Sequence, residues 1–161
     1  MFHHLLSIIL ILIGTAHVSF AGSSGAISIL HPKTGEWCLV GLDHVGPKEL
    51  SLNETGTFRI RLQNRSSCTL KYLEFIDKLP NNTSFIRAQP EPSRVKKQKK
   101  QRGPILSWTG LRFNPGDVQV FDLEIKAREK PDRMLKNRLC LAMPRYAEEE
   151  YCYYFEIKVR P

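Results

Sequence analysis

Residues 56–64 (GTFRIRLQN) set Phe58, Ile60 and Leu62 against Arg59, Arg61 and Gln63. A two-residue period gathers the apolar side chains on one face of an extended strand, whereas a helix would scatter them around its circumference. The alternation returns at 119–127, where Gln119, Phe121, Leu123, Ile125 and Ala127 are interleaved with Val120, Asp122, Glu124 and Lys126. It returns again at 153–159, with Tyr153, Phe155, Ile157 and Val159 against Tyr154, Glu156 and Lys158. Shorter apolar runs at 37–45, 70–77, 84–88, 105–110 and 138–143 bring the count to about eight strands, the number and spacing of an antiparallel sandwich. Leu79-Pro80-Asn81-Asn82 and Asn114-Pro115-Gly116-Asp117 supply the turns, with proline presetting φ and glycine free to take a positive one. The chain is therefore expected to be all-β.

Helical periodicity is confined to Leu5–Ile13 (LLSIILILI), which is followed by Gly14, Thr15 and the small-residue pattern Ser19-Phe20-Ala21. That layout predicts a secretory signal peptide over 1–21, cut after Ala21, although Met1–Leu6 carries no Lys or Arg. The run falls short of the roughly 20 apolar residues that span a bilayer, so the chain is not expected to be membrane-spanning. Residues 22–36 then read as a short lead, and 37–161 as the sandwich domain, with a basic loop at 89–104.

Export changes what the cysteines mean. Cys38, Cys68, Cys140 and Cys152 are an even set with no CxxC pair, which argues against a zinc ribbon or a thioredoxin-like site. In an oxidising compartment two disulfides are expected. Of the three connectivities, antiparallel pairing of the segment around Cys38 with 56–64, and a hairpin joining 138–143 to 151–159, favour Cys38–Cys68 and Cys140–Cys152. Free buried thiols and disulfides between chains remain as alternatives.

In order, Asn64, Asp77-Lys78-Leu79-Pro80, Phe85-Ile86-Arg87-Ala88, Trp108 and Asn114-Pro115-Gly116-Asp117 resemble the bacterial surface repeat called domain of unknown function eleven. The resemblance runs over roughly residues 38–160. It implies an immunoglobulin-like β-sandwich of about 7–8 strands, exported and without catalytic residues, as in adhesins, cell-wall proteins and cysteine-rich envelope proteins. This chain departs from the family in carrying one copy, no anchoring motif and a long insertion between Ala88 and Ile105. The tail resembles, more faintly, lipid-binding sandwiches with a hydrophobic cavity between the sheets.

Charge is concentrated in that insertion. The chain has 24 Lys and Arg against 16 Asp and Glu, a formal net charge of +8, and residues 94–102 (RVKKQKKQR) contribute Arg94, Lys96, Lys97, Lys99, Lys100 and Arg102 with no acid among them. Pro90, Pro92 and Pro104 and the lack of apolar anchors predict an extended, solvated arm. Such an arm suits an anionic polymer or anionic lipid headgroups, because Lys and Arg release counterions without needing a shaped pocket. A loop that only aids solubility, and a protease target at Lys99–Arg102, are the plainer alternatives. Nucleic acid is not expected, since the connection has no aromatic residue for base stacking. The acidic run Glu148–Glu150 could dock the arm.

No cofactor or metal is expected, and no enzyme: Glu74, Asp77 and Asp122 are read at strand ends or on outward faces, with no base, nucleophile or phosphate cradle beside them. Trp37, Trp108 and Tyr151–Phe155 read as core and rim aromatics. Asn53, Asn64, Asn81 and Asn82 open glycosylation sequons that have meaning only in a eukaryotic secretory pathway. The functional expectation is a non-catalytic protein of the periplasm, cell envelope or extracellular space that attaches to polyanions. The alternative is a structural envelope component held to protein partners by contacts or disulfides.

Overall fold

Phe58, Ile60 and Leu62 are each no more than 1% exposed, while Arg59 stands in solvent, so the alternation of 56–64 does become a strand with one buried face. The computed structural model describes residues 20–99, 101–128 and 134–160, and the apolar run Leu5–Ile13 lies outside them. In chain order the strands are β1 (Phe20–Leu30), β2 (Trp37–Pro47), β3 (Glu49–Ser51), β4 (Thr55–Asn64), β5 (Leu70–Lys78) and β6 (Thr83–Gln89). They continue with β7 (Arg94–Lys96), β8 (Ile105–Phe113), β9 (Val118–Ala127), β10 (Met134–Ala142) and β11 (Glu150–Arg160). One sheet runs β1-β2-β4-β9-β6 and the other β3-β11-β10-β5-β8-β7. Pairing is antiparallel except between β11 and β3. The result is an immunoglobulin-like β-sandwich, with more strands than the sequence pattern announces.

Three strands escape that pattern. β1 occupies most of the segment read as a short lead and pairs with β2 from Phe20↔Pro47 to Leu30↔Trp37. Its first half is Gly- and Ser-rich, and only Ile27 and Ile29 carry the buried face, too few to register as a period. β3 is three residues long, and β7 has a single apolar side chain, Val95.

Between the sheets the space is filled by aromatic rings. Phe75, Trp108 and Phe121 meet at centroid distances of 4.7–5.1 Å. Phe58, Phe113, Leu42, Leu62 and Leu73 surround them, all buried. Aromatic side chains thus fill this part of the space between the sheets.

Both expected disulfides are present. Cys38–Cys68 joins the start of β2 to the turn after β4, with an S–S distance of 2.07 Å. Asn64 shapes that turn: its amide donates to the carbonyls of Cys68 (2.7 Å) and Phe113 (3.3 Å), and its Oδ1 accepts from the Ser66 backbone. Buried and fully engaged, Asn64 is a structural residue rather than an exposed sequon. Cys140–Cys152 links directly opposed residues of β10 and β11 on the outer face of their sheet, beside Ile76, Ile105 and Ala142. All four cysteines are consumed within the chain, so none is free to link it to another.

Candidate functional site

The side chains of the basic arm are largely exposed, as its composition suggests, but its backbone is docked rather than free. After β6, the chain turns at a cis Gln89–Pro90 bond and crosses to the other sheet. The Trp108 indole N–H donates to the Pro90 carbonyl at 2.9 Å, and the Thr109 N–H to Ser93 Oγ at 3.1 Å. β7 then pairs with β8 through Arg94↔Ser107, Val95↔Leu106 and Lys96↔Ile105. Backbone hydrogen bonding to a free sheet edge outweighs the poor strand composition, and the proline-rich entry positions the segment for it.

Beyond β7 the arm folds back onto the turn between β5 and β6. The Leu79 N–H donates to the Pro104 carbonyl (3.0 Å), the Asn82 N–H to the Gln101 carbonyl (2.7 Å), and the Gln98 side-chain amide to the Gly103 carbonyl (2.7 Å). Gly103 sits at the closest approach: a Cβ there would lie 2.2 Å from the carbonyl oxygens of both Leu79 and Pro80. Those are backbone atoms with little freedom to retreat. Gly103→Ala is expected to cost about 1–3 kcal/mol by overpacking. It should also lift the arm, detected as faster tryptic cleavage at Lys99 and Arg102 under native conditions.

Strand pairing divides the arm's cations. Arg94 and Lys96 align with Ser107 and Ile105 on the outer face of the sheet, Lys99 is exposed at the tip, and Lys100 lies outside the described residues. Lys97 and Arg102 line a cleft of about 800 Å³ beside the first residues of β6. Two further cations complete its wall, Lys126 near the end of β9 and Arg128 just past it. Sequence reasoning missed both, because nothing local ties residue 126 to residue 97. The connection is made by backbone bonds: Arg128 N–H to the Asn82 carbonyl (2.7 Å), and Asn53 N–H to the Ala127 carbonyl (2.9 Å). Asn53, Asn82, Ser84 and Phe85 line the same space.

What distinguishes this region is the density of its unpaired cations. On the body, several cations have carboxylate partners: Arg59 makes a two-pronged pair with Asp122 (2.7 and 3.0 Å), Arg61 meets Asp43, Arg87 meets Glu124, and Lys158 meets Glu49, while others such as Lys48, Lys71 and Arg112 form no ion pair among the described residues. The guanidinium hydrogen bonds hold Asp122 and Glu124 below the ordinary carboxylate range, and the Ser24 hydroxyl followed by Arg61 does the same for Asp43. Among the described residues the acidic run makes no ion pair with the arm. Glu150 pairs with Lys78 and Arg138, and Glu149 accepts from the Tyr151 hydroxyl. Among the described residues no carboxylate forms an ion pair with Arg94, Lys96, Lys97, Lys99, Arg102, Lys126 or Arg128, and none lines the cleft.

The carboxylates considered for catalysis are dispersed. Asp122 is committed to Arg59 on the outer face of one sheet, and Glu74 is half-buried opposite Ala142 in the other. Asp77 corrects the outward-facing expectation: it points into the core between Leu106 and Leu139 and is 0% exposed. Neither of its oxygens meets a donor in bonding geometry among the described residues. Burial, partly offset by the nearby Asn137 amide, pushes its pKa up to about 7. His44 lies inside as well, stacked between Phe58 (5.3 Å) and Phe155 (4.3 Å), and burial lowers its pKa to about 4. Glu150 lies within metal-ligand reach of the Cys140 and Cys152 sulfurs, but as a disulfide these offer no thiolate. Trp108 is a core residue, whereas Trp37 is 61% exposed and packs edge-on against Tyr151 at the rim.

No family model matches the sequence, and no curated protein does. Among solved structures the fold is similar to AvmM, which catalyzes macrocyclization in alchivemycin A biosynthesis, with a TM-score of 0.52 at 9% identity over 76% of this chain and 89% of that one. It is also similar to the CARDB domain of the PF1109 protein from Pyrococcus furiosus, solved in complex with di-metal ions, with a TM-score of 0.49 at 11% identity over 78% and 90%. A FixG-related protein from Vibrio parahaemolyticus gives a TM-score of 0.44 at 11% identity over 76% and 97%. The likeness to AvmM is one of fold alone.

Proposed function

We propose that the chain is an exported, non-catalytic immunoglobulin-like domain of the cell envelope or extracellular space that attaches to polyanions through its basic arm. One observation carries this reading. Arg94, Lys96, Lys97, Lys99 and Arg102 stand on one docked segment without a counter-charge among the described residues, while the body pairs many of its own cations. Uncompensated cations held close together repel one another, and an arriving polyanion relieves that repulsion while releasing its own counterions. The two disulfides support export, since such bonds persist in oxidising compartments. The order of motifs resembling domain of unknown function eleven supports an envelope or surface role.

The test is a heparin column. The intact chain is expected to elute above about 0.15 M salt. A variant with Lys96, Lys97, Lys99 and Lys100 changed to Gln, matched in circular dichroism, should elute below it. Equal elution of the two would reduce the arm to a solvated surface feature.

A further inference from the structure

Resting on that reading, we propose that the arm does not act as a free polycation but forms one wall of a shaped site for an acidic oligosaccharide. Lys97, Arg102, Lys126 and Arg128 would take the ligand's sulfate or carboxylate groups, and the side chains around Ser84 its hydroxyls.

Four observations on different segments meet here. The cations come from two places far apart in sequence, the arm and the end of β9, and line one cleft of about 800 Å³. That volume lies in the ~300–1,000 Å³ range of small-ligand sites. Among the described residues Ser84 Oγ is buried without a hydrogen-bond partner, and Asn53 and Asn82 line the same cleft. An unpartnered hydroxyl and two amide side chains beside a cation cluster suit a ligand carrying both hydroxyls and anions, rather than a uniform polyelectrolyte. The wall is preorganised, because Gly103 seats the arm against Leu79 and Pro80 and the Asn82–Gln101 and Arg128–Asn82 backbone bonds close it. Finally, the aromatic lining is limited to Phe85, which is partly buried against the core. Recognition of single-stranded nucleic acid needs successive exposed rings on which bases stack.

The experiment titrates a heparin-derived hexasaccharide, and separately a polyphosphate of matched charge, into the intact chain and three variants. Lys126→Gln/Arg128→Gln removes the half of the wall that lies outside the arm. Arg94→Gln/Lys96→Gln removes the same number of cations from the outer face of β7. Ser84→Ala removes the unpartnered hydroxyl, and thermal melting confirms that each variant is folded. The expected result is a loss of at least 10-fold in hexasaccharide affinity for the first variant and a smaller loss, of about 3-fold, for the second, whose cations belong to the arm but do not line the cleft. Ser84→Ala should weaken the hexasaccharide about 3-fold and leave polyphosphate unchanged. Equal losses from the two charge pairs would overturn the shaped site while leaving arm-driven attachment intact. Tighter binding of polyphosphate, insensitive to Ser84, would overturn the carbohydrate assignment. Failure of the parent to bind either probe would overturn both this inference and the reading on which it rests.

Discussion

Loss of both disulfides is expected to remove on the order of 6 kcal/mol of folding stability, as much as the entire margin of many domains. The paired cysteines are 30 and 12 positions apart in sequence. Loop-closure entropy gives about 3.6 kcal/mol for the first and about 2.8 for the second. The first should also have the larger structural effect. Cys38 and Cys68 belong to the main core, and the turn between Asn64 and Cys68 is built around their bond. The second staples two strands already paired along their length. Urea denaturation of Cys38→Ala/Cys68→Ala, Cys140→Ala/Cys152→Ala and the parent checks both magnitudes and order. A parent whose midpoint is unmoved by reductant would remove the energetic argument for an oxidising compartment.

The pH dependence should come from two buried groups acting in opposite directions. Asp77 is protonated more readily in the fold than in the unfolded chain, so the folded state binds more protons between its unfolded value of 3.8 and about 7. Its stabilising contribution is complete below the lower limit and is lost as pH rises through the upper one, by on the order of 4 kcal/mol. His44 has the reverse sign. With a folded value of about 4 against 6.5, it contributes above the higher figure and the contribution is lost as pH falls, by on the order of 3 kcal/mol. The parent should therefore show a nearly flat stability profile between about pH 4 and 6.5, where the two slopes cancel. Asp77→Asn removes one slope. The variant should match the parent near pH 4, exceed it by about 4 kcal/mol at pH 7.5, and gain stability with rising pH through the histidine range. His44→Leu should instead lose stability continuously from pH 4 to 7. Denaturation curves at pH 4.5, 6 and 7.5 decide the matter, and no gain for Asp77→Asn at pH 7.5 would contradict the burial argument.

How much of this could be read beforehand depended on contrast along the chain. β4 and β9 were legible because charged residues alternate with Phe, Ile and Leu, and the cysteine pairing followed from the strand neighbours those patterns imply. β1 lacked contrast, since Gly and Ser fill its outward and inward positions alike. β7 was obscured because its strand character comes from the open edge of β8 rather than from its own residues. For Asp77 the signal was present: Leu73, Phe75 and Asp77 share one parity, and that parity faces the core. Its position near the end of β5, just before the Leu79-Pro80 turn, favours the strand-end reading instead. The cleft could not be read at all from the linear chain, because Lys126 and Arg128 reach the arm only through the Asn82 turn.

Binding of a fluorescent heparin fragment to the intact chain across a series of salt concentrations tests the central claim most directly. Attachment through the clustered, unpaired cations predicts a straight line of log affinity against log salt with a slope of about −3 or steeper, since four or more cations each displace counterions. A slope near zero, or no binding at low salt, would contradict polyanion attachment as the role of the arm.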